Sequence, residues 1–130
     1  MFGYLSNSFN NFFSFQGRAS RTEYWLFMIS LSLLAMVGIF LFVLAGAFLL
    51  PKDNPNAKNI VVLGSVICYL AIFVGQVSIL ARRVHDIGSS AWLVLVAYIV
   101  PFVALVMAFM PGDKGPNKYG SGPFRPNALV

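Results

Sequence analysis

Three stretches of the chain run without a charged residue: 24–50, 60–81 and 91–110. Each is dominated by apolar side chains, and as a helix rising about 1.5 Å per residue each is long enough to cross a hydrocarbon layer of about 30 Å. The pattern predicts helices over 21–50 and 59–83 and a third apolar segment over 89–110. Ahead of them Phe2, Leu5, Phe9, Phe12 and Phe13 recur three and four apart, while Ser6, Asn7, Asn10, Asn11 and Ser14 fill the other positions. That alternation predicts an amphipathic helix over 2–16 lying in the membrane interface. Behind them, 111–130 is rich in Gly and Pro and predicts a tail of turns with no core of its own, with Tyr119 available to pin it to the membrane surface. The expected fold is an all-α integral membrane protein of one domain, an interfacial N-terminal helix plus a bundle of three apolar segments.

The segment ends carry readable punctuation. Ser20-Arg21-Thr22-Glu23 has the form of a capping box, with Ser20 accepting from the Glu23 N–H and Glu23 reaching back to that of Ser20. Tyr24 and Trp25 follow, at the level where amphipathic rings favour headgroups. Pro51-Lys52-Asp53-Asn54-Pro55-Asn56 predicts a loop. In the second segment Gly64, Cys68, Ala71, Gly75 and Ser78 recur four and three apart, a small-residue stripe along which another helix can approach closely. Arg82 to Ser90 predicts a short connection in which Gly88 supplies the turn and Ser89 or Ser90 caps the next helix. The third segment holds Pro101 at its middle, which allows two geometries. A kinked helix spanning the membrane is the expectation here, because the length of the run matches a full crossing and Val100-Pro101-Phe102-Val103 has no polar group to serve a turn at membrane depth. A re-entrant hairpin is the alternative, and it alone gives a clear charge asymmetry between the two faces.

Composition agrees with this class: 58% of residues are hydrophobic and only 10% charged, far from the balance of a water-soluble domain. The first apolar run exceeds the roughly 7–15 residues of a cleaved signal's core and is read as a retained anchor. The net charge of +5 needs no nucleic-acid partner, since all nine basic residues lie outside the apolar runs, where they orient the chain and meet anionic headgroups. A single cysteine, Cys68, and a single histidine, His85, leave no disulfide within the chain and no ligand set for zinc. No metal or cofactor is expected.

If the first two segments both span, their charged ends share one face. Arg18, Arg21, Glu23, Arg82, Arg83, His85 and Asp86 then form one juxtamembrane cluster. It can act as a structural clasp that fixes helix order, or as a headgroup or anion site, because arginine forks match phosphate geometry. His85 beside Asp86 could also be an acid–base pair, although no nucleophile or metal set accompanies them. Gln76, inside the second segment, is expected to hydrogen-bond between helices.

Three stretches together, Gly17 to Trp25, Arg82 to Trp92, and the Pro-Gly tail through Asn117, Tyr119 and Gly120, resemble the small bacterial inner-membrane proteins grouped as domain-of-unknown-function family 805. The resemblance covers about residues 9–123, with Ala91 standing where members commonly carry Gly. It implies a multi-pass protein of the bacterial inner membrane, and no activity. The expected function is accordingly non-enzymatic: assembly with itself or another membrane protein in the phospholipid bilayer, the arginine cluster contacting headgroups and the N-terminus cytoplasmic. A transporter or channel subunit lined by Gln76 and Ser78, and a lipid-modifying enzyme using His85 and Asp86, are the alternatives.

Overall fold

The computed structural model describes residues 1–51 and 54–125; Lys52 and Asp53 of the predicted loop and residues 126–130 of the predicted tail lie outside the described residues. Five helices follow one another: α1 (Phe2–Asn10), α2 (Arg21–Leu49), α3 (Ala57–Asp86), α4 (Trp92–Ile99) and α5 (Pro101–Phe109).

Helices α2 and α3 are an antiparallel pair of 29 and 30 residues, about 44 Å each at the usual rise. Ser20 starts α2 in an extended conformation and its Oγ accepts from the Glu23 N–H at 3.1 Å. Leu50, which precedes Pro51, ends it in the extended region that a following proline imposes. The loop turns through Asn54 and Asn56, the Asn56 N–H donating to the Asn54 side chain at 2.9 Å. α3 runs three residues beyond the predicted end, so Arg82 to Asp86 occupy its last turns and not a connection. Its end is a Schellman cap: Gly88 takes φ +75°, and the N–H groups of Gly88 and Ser89 donate to His85 O and Val84 O. Neither Ser89 nor Ser90 caps α4 with its side chain; Ala91 stands at that position.

The expected spanning third helix is corrected to a hairpin. Val100 (φ −121°, ψ 87°) breaks the segment, and α5 returns to the end from which α4 left. Phe109 lies against Trp25 with ring centroids 5.4 Å apart, and its carbonyl accepts from Arg21. Both of those partners belong to the first turns of α2. Tyr98, near the tip, packs on Phe73 at 5.1 Å, thirteen residues before Asp86 and so about 20 Å up α3. The polar groups that the turn lacks are partly made unnecessary. The Val100 N–H closes α4 onto Val96 O, Val103 N–H opens α5 onto Val100 O, and Pro101 at the first helical position has no N–H to satisfy.

The core lies entirely at this end. Tyr24, Phe27 and Leu31 of α2 meet Ile79, Leu80, Ala81 and Val84 of α3 and Val94, Ala97, Met107 and Ala108 of the hairpin. Among the described residues nothing covers the other half of the α2–α3 pair: Phe40 is 64% exposed, Phe48 80% and Leu63 63%. A water-soluble protein does not leave an apolar surface of that extent open, whereas hydrocarbon is its natural solvent. Both helices are long and apolar enough to cross a membrane.

Of the small-residue stripe, Gly64 lies under the Phe42 ring, Gly75 is buried against Phe12 and Leu31, and Ser78 donates to Ser14 O at 2.7 Å, while Cys68 and Ala71 are exposed. The end of the stripe thus seats the segment after α1. Gly75→Leu is expected to push Phe12 out and loosen that segment, lowering the thermal midpoint of the detergent-solubilised protein by several degrees more than Val74→Leu, as overpacking costs roughly 1–3 kcal/mol. Equal midpoints for the two variants would contradict this packing.

Candidate functional site

The charged residues converge beneath the core in two linked pairs. Glu23, one turn into α2, is fully buried. Its Oε1 accepts from Arg82 Nη1 at 3.2 Å, Ser8 Oγ at 2.8 Å and Asn7 Nδ2 at 2.9 Å. The capping box is therefore half formed. Ser20 caps Glu23's N–H, but the carboxylate turns away from Ser20 to hold α1 and α3, because a buried carboxylate gains more from a guanidinium than from a single neutral amide. Glu23 Oε2 and Arg82 Nε and Nη2 are buried without a hydrogen-bond partner among the described residues.

Asp86, at the end of α3, bridges the second pair. Arg18 Nε donates to Oδ1 at 2.9 Å and Arg83 Nη1 to Oδ2 at 2.6 Å. Both arginines then give three further N–H groups each to backbone carbonyls. Arg18 reaches Asp113 O at 2.7 Å, Gly115 O at 2.6 Å and Gly120 O at 3.3 Å, all in the tail. Arg83 reaches Met107 O at 3.2 Å, Met110 O and Ala19 O at 3.4 Å, which ties down the returning end of the hairpin. The backbone adds two more ties, Ala19 N–H to Arg82 O and Asp113 N–H to Asp86 O. Gly112 packs on the Asp86 carboxylate so closely that any Cβ would displace one or the other.

His85 is buried under the tail. Its Nδ1 lies 3.3 Å from Gly17 O, and its ring stacks on Tyr119, with centroids 3.8 Å apart and 10° between planes. Gly17 has φ +86°, a left-handed conformation that turns the chain from the N-terminal segment back into the cluster. Tyr119 is placed by a tight turn closed by mutual Asn117 and Gly120 backbone bonds, and Asn117 Nδ2 donates to His85 O. Sequence reasoning set Tyr119 against the membrane surface; the structure sets it on a histidine.

Of the seven candidates, Arg18, Glu23, Arg82, Arg83, His85 and Asp86 are buried and held together, while Arg21 stays exposed at the rim. Sequence reasoning missed Asn7, Ser8 and the tail carbonyls. A carbonyl ligand leaves no trace in residue identity, but two adjacent small polar residues in a Phe-rich helix were a signal for the first two. Gln76 reaches Ser32 of α2 only at 3.5 Å, a long contact. No group of three or more His, Cys, Asp or Glu that could hold a metal occurs among the described residues.

These features define an all-α membrane protein in which a spanning helix pair carries a half-depth hairpin and a tail, all secured by one buried ionic cluster. Residues 12–121 match the family described as protein of unknown function (DUF805), and the chain belongs to it. It is similar to the inner membrane protein YhaI of Escherichia coli (strain K12), 34% identical over 118 residues, covering 87% of this chain and 88% of that one. It is also similar to the inner membrane protein YhaH of the same organism, 31% identical over 121 residues, covering 87% and 89%. No solved structure matches it.

Proposed function

We propose that the chain is a non-enzymatic protein of the bacterial inner membrane that works by assembly, with a second copy or with another membrane protein, through the face bearing the hairpin tip. The tip carries this reading. Ile99 is 80% and Phe102 71% exposed, and among the described residues no hydrogen bond across the break reaches the carbonyls of Ala97, Tyr98 or Ile99. Irregular backbone at membrane depth is tolerated where protein covers it or where it lines a water-filled space. A covering helix supplies that more simply than a path for water, since the tip is apolar throughout. In a Cys68→Ala background, Ile99→Cys treated in native membranes with a bifunctional maleimide is expected to give an adduct of higher mass. Phe48→Cys, equally exposed on regular helix, is expected to give none. Absence of an adduct from Ile99→Cys would sink the reading.

The arginine cluster serves in this reading as the clasp of the scaffold. Arg18 and Arg83 each commit four of their five N–H groups to Asp86 and to backbone carbonyls, and Arg82 is buried beside Glu23. The same commitments weigh against the other functions considered. Asp86 is held by two guanidinium groups and His85 lies under Tyr119, so neither is placed to exchange protons with a lipid. Ser78 is spent on Ser14 and gives a solute nothing.

Orientation follows from the hairpin. With the tail on the clasp side, Arg18, Arg21, Arg82, Arg83, Lys114, Lys118 and Arg125 share one face against Lys52 and Lys58, seven against two. The excess of basic residues marks the cytoplasmic side, which supports a cytoplasmic N-terminus and tail. Reporter fusions after Lys58 and after Val130 are expected to report opposite faces, periplasmic for the first. The same face for both would contradict the hairpin topology.

A further inference from the structure

The tail does more than cover the clasp: it walls two adjoining recesses, of about 370 and 280 Å³, that share Asp113, Lys114, Pro123 and Arg125. The first reaches in to Arg18 and out to Ser121; the second lies over Arg21, Ser20 and Arg83. Five cations line the pair, Arg18, Arg21, Arg83, Lys114 and Arg125, against two carboxylates, Asp86 and Asp113. They are not equivalent. Arg18 and Arg83 commit four of five N–H groups each to Asp86 and to carbonyls, so they supply mainly field. Arg21 gives one N–H to Phe109 O at 3.3 Å, and no described residue takes a hydrogen bond from Lys114 or Arg125. The opposing carboxylates are likewise occupied, Asp86 by two arginines and Asp113 Oδ2 by Asn117 Nδ2 at 2.8 Å. What remains open is an exposed ring of three cations with unused donors, backed by a buried excess of positive charge. Such a concavity concentrates anions.

The level of the site narrows the ligand. Arg21 sits one turn below Trp25, whose ring packs on Phe109, and aromatic rings of this kind mark the headgroup zone. A phosphate accepts forked N–H donors from guanidinium groups and a point charge from an ammonium, which is the donor set of Arg21, Arg125 and Lys114. We propose that the recess between Arg21, Lys114 and Arg125 binds a phosphate group, in the membrane the phosphodiester of an anionic phospholipid. The site does not depend on assembly through the hairpin tip, since it lies on the opposite end of the hairpin.

The test is binding to the full chain in a neutral detergent, with short-chain phosphatidylglycerol, short-chain phosphatidylcholine and inorganic phosphate as three separate probes, at low salt. The expected result is tighter binding of phosphatidylglycerol than of phosphatidylcholine. Arg21→Gln, Lys114→Gln and Arg125→Gln are each expected to weaken it roughly fivefold, on the scale of about 1 kcal/mol per membrane-surface cation. Lys118→Gln, outside both recesses, should leave affinity unchanged. Asp113→Asn, which removes the one opposing charge at the rim while keeping an acceptor for Asn117, should tighten it. These residues are exposed and outside the core, so the variants are expected to elute as folded protein. Binding of inorganic phosphate with the same variant dependence, and competing with the lipid, supports the phosphate site. Phosphate binding without any lipid preference overturns the lipid as its source. Equal binding of both lipids with no phosphate binding, or a lipid preference that survives all three Gln variants, overturns the site.

Discussion

Asp86→Ala is expected to abolish most of the folded yield and to expose the tail to protease. The substitution leaves Arg18 and Arg83, 5% and 0% exposed, without their shared counter-charge. Breaking a buried pair from one side costs about 3–5 kcal/mol because the remaining ion stays desolvated, and here two ions are left. Of the whole stability of a small domain, about 5–15 kcal/mol, that is a large share. The consequence is also directional. Arg18 is the residue that holds Asp113, Gly115 and Gly120, so the tail detaches first. Trypsin should cut after Lys114 and Lys118 in Asp86→Ala inverted vesicles at concentrations that leave the parent chain whole. Asp86→Asn, which keeps one acceptor oxygen but loses the charge and turns an NH2 donor toward the other arginine, should fall between the two. Equal tail protection in all three proteins would show that the tail is held by its own turns and not by the clasp.

Much of this architecture was legible from the chain. Runs free of charge and of internal proline over 24–50 and 60–81 read as long apolar helices, and Ser20 and Gly88 mark a start and a stop that depend on local geometry alone. The hairpin was harder because two local signals pointed opposite ways. An apolar run as long as 91–110 fits a crossing, yet the β-branched Val100 ahead of Pro101 is pushed toward extended backbone, and the count of basic residues on each face favoured the turn. What decides the matter is Arg83, which holds Met107 O and Met110 O, and no residue type announces that its carbonyl will be an arginine ligand. The same limit hid the tail. Its glycines and prolines read as a tail of turns with no core of its own, whereas Gly112 is a glycine because Asp86 occupies the space of a Cβ. Glu23 was half legible: its place in a clasp with the arginines of α3 follows from both helix ends sharing one face, whereas Ser8 and Asn7 are brought to its carboxylate only by the fold.

The Glu23–Arg82 pair should behave differently from Asp86, and the difference separates specificity from stability. Glu23→Leu leaves Arg82 buried and unpaired and strands Ser8 and Asn7, so a loss of about 3–5 kcal/mol is expected, read as a steep drop in thermal midpoint and in folded yield. Yet the intact pair is poorly satisfied: Glu23 Oε2 and Arg82 Nε and Nη2 have no partner among the described residues, and each buried polar atom left unmade costs about 1–3 kcal/mol. Two charges held by a single 3.2 Å contact recover less than an ideal fork does. Replacing both, Glu23→Leu with Arg82→Met, removes the unpaired charge and the orphaned donors together. The double variant should therefore regain most of the loss, and adding Ser8→Ala, which removes the remaining buried hydroxyl, should regain more. The fold would stand, while α1, which Glu23 holds through Ser8 and Asn7, would lose its polar anchor and rest on ring contacts such as Phe9 on Phe27 and Tyr4 on Phe124. A cysteine placed at Asn7 should then label faster with a water-soluble maleimide in the triple variant than beside an intact Glu23. If the double variant is no more stable than Glu23→Leu alone, the pair is itself a main support of the fold and not the device that seats α1.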